Sequence, residues 1–181
     1  MNKSSRYERR ARVIDLERLT TTGAIIVTFQ VIDDLPFSFQ PGNFVGIDCD
    51  LPGVGYRRSP YCIFSPPDQG RTFQLFVRLV PEGPVSSFLG SLRAGDCISF
   101  RGPTGRSMMP REGETEVVPL ATGVGLSPFN SLIRNLLVLS FSRPIRLYWG
   151  LRLVEDICLL DELEQIARKH TNFSYYISLS R

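Results

Sequence analysis

The chain has 181 residues, of which 43% are hydrophobic and 22% charged. That balance excludes a disordered or collagen-like chain, and a net charge of +3 is too small to imply nucleic acid. No apolar run is long enough to cross a bilayer and residues 1–12 lack a signal peptide's apolar segment, so the sequence reads as soluble and cytoplasmic.

The chain opens on a basic stretch in which Lys3, Arg6, Arg9, Arg10 and Arg12 face a single acid, Glu8. It reads either as a solvated tail or as part of a docking surface for an acidic partner. Segments rich in β-branched and aromatic residues then recur up to Phe100: RYERRARVIDLERL, AIIVTFQV, FVGIDCD, YCIF, TFQLFVRLV and CISF. Turn formers such as Pro52-Gly53 and Gly95-Asp96 separate them. Strands at this spacing predict a six-stranded antiparallel barrel, closed or nearly so, over residues 1–112. One insertion breaks the rhythm. PVSSFLGSL, residues 84–92, begins with proline and spaces Val85, Phe88, Leu89 and Leu92 along one helical face.

From Glu116 the period changes, and residues 113–181 predict a partial parallel βαβαβ unit. Its strands are EVVPLAT, PIRLYWG and FSYYISL, although Pro119 sits awkwardly in the first because it cannot donate to a ladder. The first helix is expected to open with Ser127 as N-cap and Pro128 at its first position. It would turn Phe129, Leu132, Ile133 and Leu136 toward the sheet. The second, DELEQIARKH, carries acids first and bases last, so His170 reads as a dipole cap.

Between the first strand and helix lies ATGVGLSPF. Gly123 and Gly125 supply half of a dinucleotide fingerprint, but Pro128 occupies the third glycine's place. Arg152 also stands where an acid would follow the next strand. What remains is a glycine turn open to a pyrophosphate at a helix N-terminus, or an ordinary tight turn. The four cysteines lack C-x-x-C spacing, against zinc and cysteine-ligated iron–sulfur clusters.

In this order the stretches resemble the ferredoxin–NADP⁺ reductase family of FAD-containing electron-transfer proteins. FSFQPGNFVGI is similar to the family's F-x-P-G-Q-F-V, and RRSPYCIFS to its R-x-Y-S motif followed by x-x-S. PEGPVSSFL is similar to G-x-V-S-x-x-L, FRGPTG to G-P-x-G, LATGVGLSP to the nicotinamide-nucleotide turn, and LYWGLRLVEDI to the strand that follows it. The similarity runs from about residue 8 to the last residue.

The resemblance implies FAD in the barrel, NADPH or NADH on the α/β unit, and one-electron delivery to ferredoxin, flavodoxin or an oxygenase component. It assigns Tyr61 to the isoalloxazine face and puts Cys62 where Ser or Thr approaches flavin N5. It also gives Ile63 and the strand Phe76, Val77, Arg78 and Leu79 to cofactor contact. At Gly83, Val85, Ser86 and Ser87, backbone N–H groups at the helix start with two hydroxyls beside them form a cradle for the FAD pyrophosphate, or else a serine-rich N-cap. The family's arginine falls on Ser59, so either a bulge brings Arg58 to the FAD pyrophosphate or Ser59 substitutes. Thr122, Gly123, Gly125, Leu126 and Pro128 would meet the nicotinamide nucleotide, and Arg152, Ser180 and Arg181 its phosphate end.

The family's nucleotide domain continues with further strands, so the expectation is a fragment or a chain completed by another segment, with its exposed edge covered. Three functions compete on this basis: a reductase, an FAD-binding module without productive NAD(P)H oxidation, and a flavin-free binding protein of the same fold.

Overall fold

The computed structural model describes residues 8–67 and 70–181. Six strands form one antiparallel sheet: β1 (Arg9–Arg18), β2 (Ala24–Val31), β3 (Phe44–Leu51), β4 (Gly55–Cys62), β5 (Thr72–Arg78) and β6 (Cys97–Thr104), in the order β4-β3-β6-β1-β2-β5. The sheet curls until its edges meet, where Ile63 bridges Leu75 and Phe64 N donates to Gln74 O at 2.8 Å. The barrel is thus nearly closed, as its strand spacing predicts. Helix α1 (Pro84–Ser91) buries Val85 and Leu89 against the barrel core.

Strand β2 explains how the barrel meets the second unit. Ile25, Val27, Phe29 and Val31 point into the barrel, while Ala24 and Ile26 are buried on the other side. A strand buried on both faces needs an almost unbroken apolar run, and AIIVTFQV supplies it. β5 repeats the device, with Phe73, Leu75 and Val77 inward and Phe76 outward. β4 reaches further upstream than YCIF suggested. It is a polar edge strand, where Pro60 interrupts no interior ladder.

The second unit is a parallel sheet of β7 (Leu120–Thr122), β8 (Ile145–Leu151) and β9 (Phe173–Leu179), with β8 central. The first strand is short because of Pro119, whose carbonyl accepts from Tyr148 N at 2.9 Å but which has no N–H to return. Helices α2 (Ser127–Val138) and α3 (Leu160–Lys169) bury Leu132, Ile133, Leu136 and Leu163 with the odd-numbered residues of β8. On the opposite face Leu120, Tyr148 and Tyr176 lie in register across the strands, exposed, with the tyrosine rings stacked at 4.9 Å. α3 has acids in its first turn, bases in its last and His170 as C-cap.

Two expectations are corrected here. Ser127 does not cap α2: a 3-10 turn, Gly123–Leu126, starts the helix early, and the hydroxyl donates to Val124 O at 2.8 Å. Arg9 is no docking residue. Alternation along β1 turns it inward, where it is buried, pairs with Asp33 at 2.8 Å and lies over Phe37 and Phe100. Arg10 and Arg12 are exposed and make no ion pair among the described residues, while Lys3 and Arg6 lie outside them.

Candidate functional site

Parallel strands bring their C-terminal ends to one rim, the usual ligand position of an open α/β sheet. There a cavity of about 640 Å³ opens between the sheet and the barrel, lined by Thr122 and Gly123, Trp149 to Arg152, Ser178 to Arg181, and Phe76 and Arg78 from β5. Gly123 has φ +50, in the left-handed region that favours glycine. Its carbonyl accepts from Trp149 Nε1 at 2.9 Å, which pins the turn to the sheet. A Cβ at Gly123 or Gly125 would meet nothing within 4 Å, so the turn faces open space.

A second groove of about 360 Å³ runs alongside, between Ser59 and Tyr61 of β4, Phe76 to Arg78 of β5, and Gly83 to Ser86 at the start of α1. Phe76, Arg78 and Val124 line both spaces, which therefore share a wall. Pro84 opens the helix without an N–H, and the first intrahelical bond runs from Ser87 N to Gly83 O at 2.9 Å. The amides of Val85 and Ser86 precede it and have no helical acceptor.

The serine hydroxyls are engaged by the chain's own backbone. Ser86 Oγ accepts from Val80 N at 3.2 Å and donates to Gly83 O at 3.0 Å, while Ser87 Oγ lies 3.4 Å from Val80 O. They fasten the loop before the helix and leave the backbone to line the groove. A Cβ at Gly83 would come within 2.6 Å of Ser86 Oγ, so the loop is built around a glycine.

Charge is concentrated where the two spaces meet. Arg78 Nη1 donates to Asp156 at 2.7 Å and to Thr22 Oγ1 at 3.0 Å, and Thr22 donates to the same carboxylate at 2.6 Å. Arg78 and then Thr22 hold the Asp156 carboxyl down to about 2, so it is ionised at neutral pH. Burial pushes the Tyr61 hydroxyl up to about 12 and raises the Cys62 thiol, so both stay protonated.

The remaining candidates fall elsewhere. β4 pairs with β3 from Gly55 to Cys62 without a register shift, so there is no bulge at Arg58. Arg58 lies over Gly46 and pairs with Asp48, on the strand face opposite Ser59 and Tyr61. The bulge expectation is corrected: Ser59, not Arg58, borders the groove. Ile63 and Leu126 are core residues, and Cys62, Leu79, Ser87, Gly125 and Pro128 border neither space. Trp149, Val124, Thr22 and Asp156 were not anticipated. Their roles depend on contacts between segments far apart in the chain.

Comparison with known proteins gives the arrangement its context. Residues 12–108 match the oxidoreductase FAD-binding domain, and residues 120–181 the oxidoreductase NAD-binding domain. Ferredoxin–NADP reductase B of Sorangium cellulosum (strain So ce56) is 33% identical over 155 residues, covering 86% of this chain and 63% of that protein. The reductase component DmpP of phenol 2-monooxygenase from Pseudomonas sp. (strain CF600) is 32% identical over 149 residues, or 82% of this chain and 41% of the relative. The chain thus spans less than two thirds of either. The crystal structure of the Amycolatopsis cytochrome P450 reductase GcoB superposes with a TM-score of 0.82 at 27% identity, over 95% of this chain and 51% of that one. No helix among the described residues is long and apolar enough to cross a membrane. With a barrel that matches the FAD-binding model over more than half its length and an α/β unit that matches the NAD-binding one, the chain belongs to the ferredoxin–NADP⁺ reductase family of FAD-binding oxidoreductases.

Proposed function

We propose that the chain is the flavin- and nicotinamide-binding part of an electron-transfer reductase, dividing near residues 112 and 113, with FAD in the barrel groove and NADPH or NADH in the larger cavity. The observation that carries this reading is the shared wall of Phe76, Arg78 and Val124, which would bring two flat ligands side by side. The residues fit both cofactors: the groove has free amides at the start of α1, and the cavity has an open glycine turn. When bound, the cofactors themselves supply hydride transfer and one-electron release.

The chain's own residues would bind, orient and exclude water. Tyr61 offers an aromatic face at the groove, neutral because its hydroxyl is raised to about 12. The amides of Val85 and Ser86 would receive the FAD pyrophosphate, and the turn at Gly123 the nicotinamide nucleotide. Arg152 and Arg181, at the ends of β8 and β9, would receive a phosphate on the adenosine end, which favours NADPH. Phe76 and Val124 form the apolar part of the wall between the sites, beside Arg78. The acceptor would be a one-electron carrier of acidic surface, a ferredoxin, flavodoxin or oxygenase component in the cytoplasm, with Arg10 and Arg12 on its approach.

The bare outer face of the three-stranded sheet favours a second reading, an FAD-binding module without productive nicotinamide oxidation, because parallel sheets are normally covered on both sides. Anaerobic stopped-flow mixing of the FAD-loaded protein with NADPH and NADH separates the two. Flavin reduction at rates of about 1 s⁻¹ or more supports the reductase. Nucleotide binding without reduction supports the module. A protein that takes up no FAD refutes both.

A further inference from the structure

Among the described residues, Arg78 is the only charged side chain that lines the groove. Its partner Asp156 borders the neighbouring cavity but not the groove, so the ion pair is a fixed dipole with its positive end at the groove. The guanidinium spends Nη1 on Asp156 and Thr22, while its Nε and Nη2 hydrogens have no acceptor among the described residues and its side chain is 41% exposed. Asp156 is held in turn, its second oxygen accepting from Leu153 N at 3.1 Å. Thr22 is anchored through Thr20 Oγ1, which accepts from Ala24 N at 3.0 Å. A cation this firmly placed has a function beyond joining the two units, since it also borders the space assigned to the flavin.

Hydride carries two electrons and one proton. When it leaves a nicotinamide and adds to the flavin, the flavin gains one negative charge and the nicotinamide ring becomes cationic. A preplaced positive charge beside the flavin stabilises the reduced form without reorganisation. We propose that Arg78 is the residue that tunes the flavin toward reduction, with Asp156 and Thr22 as positioning residues that hold its guanidinium at the groove. The inference rests on the flavin reading given above.

The test is the midpoint potential of the FAD-loaded protein, read from its visible spectrum at equilibrium with a reference dye. Arg78→Met keeps most of the side chain's length and removes the charge. It is expected to lower the ratio of reduced to oxidised flavin at least tenfold at a fixed solution potential, about 30 mV for a two-electron couple. Arg78→Lys keeps the charge and should stay within threefold of the wild type. Asp156→Asn keeps the shape, can still accept from Arg78 and removes the opposing charge, so its potential should hold or rise. A role confined to joining the units would move both neutral variants the same way.

The inference stands if Arg78→Met lowers the potential and Asp156→Asn does not. It is overturned if Arg78→Met leaves the potential unchanged or raises it, or if both variants lower it. Arg78→Gln replaces the methionine variant should that fail to fold. A wild-type chain that takes up no flavin overturns the flavin reading itself, and this inference with it.

Discussion

Replacing Arg9 with methionine is expected to destabilise the fold by about 2–4 kcal/mol at pH 7. Arg9 donates Nε and Nη2 to Asp33 at 2.8–3.2 Å and reaches the carbonyls of Leu35 and Pro36 at 3.1 Å. Removing one partner of a buried pair costs roughly 3–5 kcal/mol. Methionine retains contact with Phe37 and Phe100, and Arg71 stays 3.7 Å from Asp33, so the loss falls toward the lower end. The Asp33 carboxyl gives a second measure. Arg9 foremost holds it down from 3.8 to about 2, which converts to at most about 2.4 kcal/mol before solvent screening at the barrel's end reduces it.

Because the folded value is the lower one, this stability is present above about pH 4 and is lost as pH falls toward 2. About half is gone at pH 3, where the unfolded carboxyl is mostly protonated and the folded one is not. Urea unfolding of both proteins at pH 7 and pH 3 measures the difference directly. A cost under about 1 kcal/mol at pH 7, or one that does not shrink at pH 3, refutes the assignment.

Gly123→Ala places a side chain at a positive φ on the cavity wall, and should lower the melting temperature slightly and weaken nucleotide binding followed through the fluorescence of the single tryptophan, Trp149. Gly83→Ala should instead disturb the loop that Ser86 fastens and weaken FAD in equilibrium titration by about tenfold, a hydrogen bond's worth. Arg152→Ala and Arg181→Ala should each weaken 2′-phospho-AMP about tenfold in calorimetry and change AMP less than threefold. Asn130→Ala removes the donor to Phe64 O at 3.0 Å and should cost about 1–2 kcal/mol in urea unfolding by orphaning a buried carbonyl.

Two strands that bury a face were legible to the residue, AIIVTFQV as β2 and FSYYISL as β9. Their alternation or continuous apolar run is set by burial, and burial is what hydrophobic pattern encodes. β4 was legible only at its end, because an edge strand with both faces partly wet has no such constraint and GYRRSP reads as a loop. At the site the backbone features were readable, since a glycine turn and a proline-led helix are local. The side-chain partners were not. Ser86 and Ser87 look like ligand hydroxyls until the loop at Val80 folds back on them. Arg58 looks available until the uninterrupted register with β3 turns it to Asp48. Asp156 lies 134 residues from Thr22 and 78 from Arg78, and no local pattern announces a contact at that separation.

The apolar layer between the units sets how the molecule comes apart. Ala24, Ile26, Phe64 and Phe76 of the barrel share one cluster with Leu126, Ile133 and Trp149 of the α/β unit. Such a seam is a weld, not a hinge, so calorimetry should record a single melting event for both units. The gap between groove and cavity is set during folding, before any ligand arrives. A nucleotide entering the cavity then meets walls already in register and spends none of its binding energy on closing domains. A mutation such as Ile26→Ala, remote from both ligands, would loosen the two sites together, and its damage would register as a change in their mutual spacing more than in either affinity.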